Sequence, residues 1–187
     1  TQLVARNNGS QLVVSGASSG ERIAVDYAYD VYGNNSIYAV EEIRLADGTV
    51  WNDATLKVEA VRGTSASESI FGFGGADAMT GGLGNDMLYG RNGNDALDGG
   101  DGNDRLVGEA GADNLLGGAG DDTMYGDATS SSLNQAATHS DVYDGGSGND
   151  TIEDWGNSNG DAYRLNTGGG ADLVLDYGGS ADRIEVG

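Results

Sequence analysis

The chain has no cysteine, no proline and one histidine, and only nine basic residues against thirty acidic ones in 187 positions. Each shortage closes off a class of structure or chemistry. Without cysteine there is no disulfide framework and no thiolate, either as a nucleophile or as a zinc ligand. With a single histidine as well, zinc and its neighbours lose their usual partners. Without proline no X–Pro bond slows folding by isomerisation. The same absence is expected in a tightly stacked array, where a residue lacking a backbone donor fits badly. The net charge of −21 argues against nucleic acid or anionic membrane as partners, since both are held by basic surface. No apolar run approaches the ~20 residues of a transmembrane helix.

Catalytic signatures are missing too. No G-x-S-x-G or H-E-x-x-H string occurs. His139 stands among Ser, Thr and Ala and is read as an exposed loop residue. Trp51 and Trp155 could form a sugar platform, but packing of a flank and of an array edge is the simpler reading. Adjacent acids such as Asp121 and Asp122 look like a glycosidase pair, yet they recur with a repeat that explains them better. The G-x-G strings lack the strand, loop and helix that nucleotide binding needs. No active site is expected, and the chain is not read as an enzyme.

What is abundant is glycine, 34 residues of it, and it is periodic. From Gly63 to Tyr125 one nine-residue pattern, G-G-x-G-x-D-x-U-x with U apolar, repeats seven times in phase: GTSASESIF, GFGGADAMT, GGLGNDMLY, GRNGNDALD, GGDGNDRLV, GEAGADNLL and GGAGDDTMY. Glycine supplies positive φ and close backbone approach. Position 6 places a carboxylate at the end of the turn: Glu68, Asp77, Asp86, Asp95, Asp104, Asp113 and Asp122. Position 8 sends one apolar side chain inward while positions 7 and 9 face out, following the period of a strand. The inward residues are Ile70, Met79, Leu88, Leu97, Leu106, Leu115 and Met124. The first copy, with Ala66 for a glycine and Glu68 for aspartate, marks the edge of the array.

The beat continues beyond Tyr125 if loops are allowed. Asp141 and Tyr143 take positions 6 and 8 of a turn with an insertion near 128–140. GGSGNDTIE is a perfect copy carrying Asp150 and Ile152, and Asp161/Tyr163, Asp172/Val174 and Asp182/Ile184 follow. The array is thus expected to run to Glu185. Turn carbonyls and stacked carboxylates make an all-oxygen cage, which suits Ca²⁺ with its roughly 6–8 oxygen ligands. The charge divides unevenly: −3 over residues 1–62 and −18 over the remainder. Self-repulsion of that size, over a thin apolar core, should keep the repeat segment open without a cation.

The nonapeptide resembles that of the RTX, or haemolysin-type calcium-binding, proteins. The resemblance implies an all-β fold, a right-handed parallel β-roll in which two nonapeptides make one coil. It implies calcium between Asp(i) and Asp(i+18), with carbonyls of turn positions 1 and 3. The expected carboxylate ligands are Asp77, Asp86, Asp95, Asp104, Asp113, Asp122, Asp141, Asp150, Asp161 and Asp172. The expected carbonyls are those of Gly72, Gly74, Gly81, Leu83, Gly90, Asn92, Gly99, Asp101, Gly108, Ala110, Gly117 and Ala119. About six to nine calcium ions would be held in this way. The resemblance further implies type I secretion of an unfolded chain, folding outside the cell in calcium, and a monomeric module within a larger exported protein. An adhesion or carbohydrate-binding module, and the tail of a secreted enzyme, are the rival readings.

Residues 1–62 form a separate, β-rich flank in this reading. Leu3–Arg6, Gln11–Ser15, Glu21–Tyr29, Ala39–Leu45 and Thr49–Trp51 read as strands, with Asp47-Gly48 as a hairpin turn. A short helix is expected over 54–61, capped by Asn52 or Asp53. The unit should cover the first rung of the roll, whose open edge would otherwise invite pairing. The stretch IYAVEEIRLADGTVWNDATL resembles the haemolysin-type calcium-binding related segment that lies beside such arrays. The chain reads as an excerpt from a larger protein, and its two ends suggest tandem blocks, each a flank followed by a roll.

Overall fold

The computed structural model describes residues 61–127, 139–155, 160–166 and 169–187 in full, and before them the backbone of five short strands. Glycine and turn residues interrupt the chain every few positions, so no strand exceeds six residues. Twelve of them alternate between two parallel six-stranded sheets. One sheet contains β6 (Ser69–Phe71), β8 (Met87–Asn92), β10 (Arg105–Ala110), β12 (Thr123–Asp127), β14 (Thr151–Asp154) and β16 (Leu173–Asp176). The other contains β7 (Ala78–Leu83), β9 (Ala96–Asp101), β11 (Asn114–Ala119), β13 (Val142–Ser147), β15 (Ala162–Leu165) and β17 (Arg183–Val186). The architecture is the expected parallel β-roll, and no helix occurs among the described residues.

Register follows the repeat. Ile70 pairs with Leu88, Leu88 with Leu106 and Leu106 with Met124, so each coil consumes two nonapeptides. The insertion does not shift this frame: Met124 pairs with Ile152, and Leu115 with Tyr143. Inward residues therefore stack in two columns, Ile70–Leu88–Leu106–Met124–Ile152 and Met79–Leu97–Leu115–Tyr143–Tyr163, all at most 2% exposed. Tyr143 and Tyr163 stack ring on ring, with centroids 5.3 Å apart.

Two position-9 residues expected to face out are buried. Val107 pairs with both Tyr89 and Tyr125, and is covered by them on the outer face of the sheet. Tyr125 is covered in turn by the Arg105 guanidinium, 4.2 Å above its ring, which also donates to its hydroxyl at 3.1 Å. The last rung departs from the pattern in the opposite sense. Ile184 stacks on Tyr163 in register but is 62% exposed, because β17 ends its sheet.

Ahead of the roll, β1 (Leu3–Asn7), β2 (Gln11–Gly16) and β3 (Arg22–Asp26) form an antiparallel sheet. β4 (Glu42–Arg44) and β5 (Val50–Asn52) form a hairpin on either side of Asp47-Gly48. β1 lies against β6, at the first rung. Of the helix expected over 54–61, residues 54–60 lie outside the described residues. Val61 is instead at a turn, buried in the core of the roll, beside a parallel bridge from Arg62 to Thr80. The insertion at 128–138 is likewise outside the described residues.

Leu106 is fully buried between two rungs and Ile184 has a rung on one side only. Leu106→Ala should therefore destabilise the calcium-loaded roll by about 2–5 kcal/mol, and Ile184→Ala by less than about 1 kcal/mol. Thermal unfolding in excess calcium, followed by circular dichroism, measures both.

Candidate metal centre

The turns show why the pattern needs glycine in three places, for two different reasons. Positions 2 and 4 take positive φ, as at Gly100 (101°) and Gly102 (140°). Position 1 lacks room. A Cβ on Gly90 would meet Asp95 Oδ2 at 2.5 Å and the Gly108 carbonyl at 2.8 Å, and one on Gly72 would meet Asp77 Oδ2 at 2.9 Å and the Gly90 carbonyl at 2.5 Å. Gly81, Gly99, Gly108 and Gly117 repeat the arrangement. At each turn the carboxylate oxygen of position 6 and the position-1 carbonyl of the next coil thus converge on the bare α-carbon of position 1. The strand registers skip this position, pairing Tyr89 with Val107 and then Arg91 with Glu109.

The other carboxylate oxygen is used inside the protein. Asp95 Oδ1 accepts the Asp77 N–H at 2.8 Å, Asp113 Oδ1 that of Asp95 at 2.8 Å, and Asp141 Oδ1 that of Asp113 at 2.8 Å. Asp161 then accepts from Asp141 at 2.7 Å, and Asp182 from Asp161 at 3.1 Å. On the opposite side the same ladder runs from Glu68 through Asp86, Asp104, Asp122 and Asp150 to Asp172, lengthening from 2.7 Å to 3.2 Å at its last step. Glu68 closes its end of the ladder by accepting the Thr64 N–H at 2.6 Å. Two columns of acids therefore climb the two sides of the roll, buried from Asp86 to Asp161 and half-buried at Asp77 and Asp172.

Six rungs leave a carboxylate oxygen over. The Oδ2 atoms of Asp95, Asp104, Asp113, Asp122, Asp141 and Asp150 are buried and have no hydrogen-bond partner. Burial pushes Asp95 and Asp122 up to about 7, Asp113 to about 6 and Asp141 to about 8, against the lowering effect of the N–H that each accepts. The carboxylates above and below raise them further. Asp104 and Asp150 are raised for the same first reason. A buried, unpartnered anionic oxygen is expensive unless a cation meets it. Oxygen-only donors, one carboxylate per rung and a carbonyl aimed at the same spot fit a hard divalent cation such as Ca²⁺. Among the described residues no three acid or histidine side chains gather closely enough to hold an ion by themselves. Backbone oxygens must complete each shell.

The position-3 carbonyls are partly engaged. Those of Asp101, Ala110 and Ala119 accept the N–H of Gly84, Gly93 and Gly102 at 2.8, 2.8 and 2.7 Å, which leaves each one further lone pair. Gly74, Leu83 and Asn92 occupy the same turn position in the earlier coils.

Two features escaped the sequence reading. Position 5 carries a second ladder running the other way: Asn103 N–H donates to Asn85 Oδ1 at 3.1 Å, Asp121 to Asn103 at 3.2 Å and Asn149 to Asp121 at 2.8 Å. Its signal was the recurrence of Asn at 85, 94, 103 and 149. The two sides also differ at position 2. One side has Gly82, Gly100, Gly118 and Gly146; the other has Phe73, Arg91, Glu109, Asp127 and Trp155. Arg91 and Glu109 keep φ values of 80° and 76°, a conformation costing about 1–2 kcal/mol without glycine. Trp155 stacks on Tyr177 with centroids 4.1 Å apart and donates Nε1–H to Glu153, in line with packing at the edge of the roll.

Comparison with known families agrees with this geometry. The RTX calcium-binding nonapeptide repeat matches residues 71–106, 98–131 and 137–157. The haemolysin-type calcium binding protein related domain matches residues 11–55. Residues 71–131 and 137–157 are thus RTX calcium-binding nonapeptide repeats, beside a haemolysin-type calcium binding protein related domain. No curated protein and no solved structure matches it.

The raised carboxyls make the metal-free roll pH-sensitive. A carboxyl whose pKa is higher in the roll than in the open chain favours the roll below about pH 4. That advantage is lost as pH rises through about 6 to 8, where the buried groups must ionise. In a chelator, strand content by circular dichroism should be higher at pH 5 than at pH 8; equal content would contradict this account. With calcium the order reverses, because protons compete for the same oxygens, and half-saturation should need more calcium at pH 5 than at pH 8.

Proposed function

We propose that this chain is a calcium-dependent folding module of a larger exported protein, monomeric in itself and ordered by the cation outside the cell. The observation that carries the reading is the column of buried Oδ2 atoms without partners on each side of the roll. Calcium lodged at a rung would neutralise two stacked carboxylates, one from each adjacent coil, so cation binding and coil stacking become one event. In this reading Asp77, Asp86, Asp95, Asp104, Asp113, Asp122, Asp141, Asp150, Asp161 and Asp172 supply the carboxylates, and position-1 and position-3 carbonyls complete the shells. About six to nine ions would be bound, with affinities near 10⁻⁴–10⁻³ M if they resemble other extracellular calcium modules. An open chain at low cytosolic calcium suits passage through a type I secretion channel, and the roll would then form on arrival. No helix among the described residues is long and apolar enough to cross a membrane.

A calcium titration of the chain tests this. Far-UV circular dichroism at neutral pH should pass from largely disordered in chelator to strand-rich in millimolar calcium, with a calorimetric signal for several ions. An unchanged spectrum would defeat the reading. Asp95→Ala and Asp104→Ala, at the buried centre of the ladders, should lower the cooperativity of that transition more than Asp182→Ala at the last rung. Equal losses would mean that order does not spread from the centre.

A further inference from the structure

The two ladders are not equivalent, and their difference is greatest at the base of the insertion. Gly126 is the position-1 glycine of the interrupted turn. Two oxygens, Asp141 Oδ2 and the Tyr143 hydroxyl, both crowd the place its Cβ would take. In the regular coils that place receives a carboxylate and the next coil's carbonyl; here a phenol replaces the carbonyl. Tyr143 is fully buried and its hydroxyl has no hydrogen-bond partner. Asp141 is 1% exposed with Oδ2 likewise unpartnered. The next residue, Asp127, stands at position 2, where the opposite side of the roll always has glycine or Thr64, and its Oδ2 is also buried and unpartnered.

Asp141 links the other two: Asp127 acts on it, and it acts on Tyr143. Asp127 acts on Asp113 and Asp141, Asp161 acts on Asp127, Asp141 and Tyr143, and buried Asp154 acts on Tyr143. His139, exposed at the rim, acts on Asp127 from outside. Asp154 has a partner in the Tyr163 hydroxyl at 2.9 Å.

We propose that Asp127, Asp141 and Tyr143 form a cation site of their own kind, in which two carboxylates and a phenolic oxygen converge on one Ca²⁺, and which fills before the repeating rungs. The Asp113–Asp141 rung already offers the carboxylate oxygens of the regular pattern. Asp127 adds one more negative charge and Tyr143 adds a neutral donor from inside the core, and calcium affinity rises with the charge of the ligand set. The site also sits where the chain leaves and re-enters the roll. Its occupation would fix the frame of β13 against β11 across the insertion.

The inference rests on the calcium-binding reading above but can fail separately from it. Terbium, a luminescent stand-in for calcium, is excited through a phenol only at close range. In the full 187-residue chain, the first equivalent of Tb³⁺ should give tyrosine-sensitised emission. Tyr143→Phe should remove most of it and Tyr89→Phe should leave it unchanged. Asp127→Asn should weaken the tightest calcium site about tenfold by calorimetry, a loss of the size found when a metal's supporting groups are removed. Asp144→Asn makes the same charge change one residue from Tyr143, on a carboxylate already bonded to Asn166, and should change it less than twofold. Circular dichroism at saturating calcium checks that each variant still forms the roll. If both aspartate variants weaken the tightest site equally, or if Tyr143→Phe keeps the first-equivalent emission, the site is not distinct and the proposal is overturned. If neither ion binds at all, the calcium-binding reading falls with it.

Discussion

A carboxylate buried with one oxygen satisfied and the other bare is the constraint on which this fold turns. The Oδ1 atom of each position-6 aspartate joins coil to coil through a backbone N–H, so the residue cannot be removed without breaking the stack. In Asp95, Asp104, Asp113, Asp122, Asp141 and Asp150 the Oδ2 atom is buried without a hydrogen-bond partner. One atom favours the stack, while its buried neighbour opposes it for as long as its charge is unmet. The inward column of one apolar side chain per nine residues is too thin to decide the matter by hydrophobic burial. The turns therefore weigh in the balance beside the core.

This division explains which parts of the structure were legible in the sequence. Period and phase fix the strands, the register and the inward column, because one repeated residue type at a fixed interval has a single stacked solution. The Leu115–Tyr143 and Met124–Ile152 pairs could be placed across the insertion for that reason alone. Positions written as x in the pattern were opaque. Position 5 looks free, yet in a stacked coil its side chain meets the backbone of the next one, and asparagine there replaces a lost strand hydrogen bond. Val107 and Tyr125 lie at an outward position, yet Val107 is flanked in register by Tyr89 and Tyr125, and Tyr125 is covered by Arg105 of the adjacent coil, contacts that no local pattern displays. Of the two uses expected of glycine, positive φ and close approach, position 1 serves the second. Only the convergence of carboxylate and carbonyl shows that.

The ladders also determine how order can travel. The aspartates from Asp86 to Asp182 accept from the coil before them, and the position-5 side chains of Asn85, Asn94, Asn103 and Asp121 accept from the coil after them, so neighbouring coils are tied in both directions. In a quasi-one-dimensional stack, nearest-neighbour ties of this kind make the growth of an ordered block easier than its initiation. On the Glu68 side the aspartate ties lengthen from 2.7 Å to 3.2 Å at Asp150–Asp172, and in the last rung the inward Ile184 becomes exposed. The weak point of such a stack would be the insertion, which stretches the interval between rungs from 18 to 28 residues. A longer closed loop costs more entropy, though the cost grows only with the logarithm of its length. That is where Gly126, Asp127, Asp141 and Tyr143 concentrate bare oxygens beyond the needs of the repeat. A cation held there would add its strongest tie at the costliest closure, and the roll could then continue past the interruption in frame.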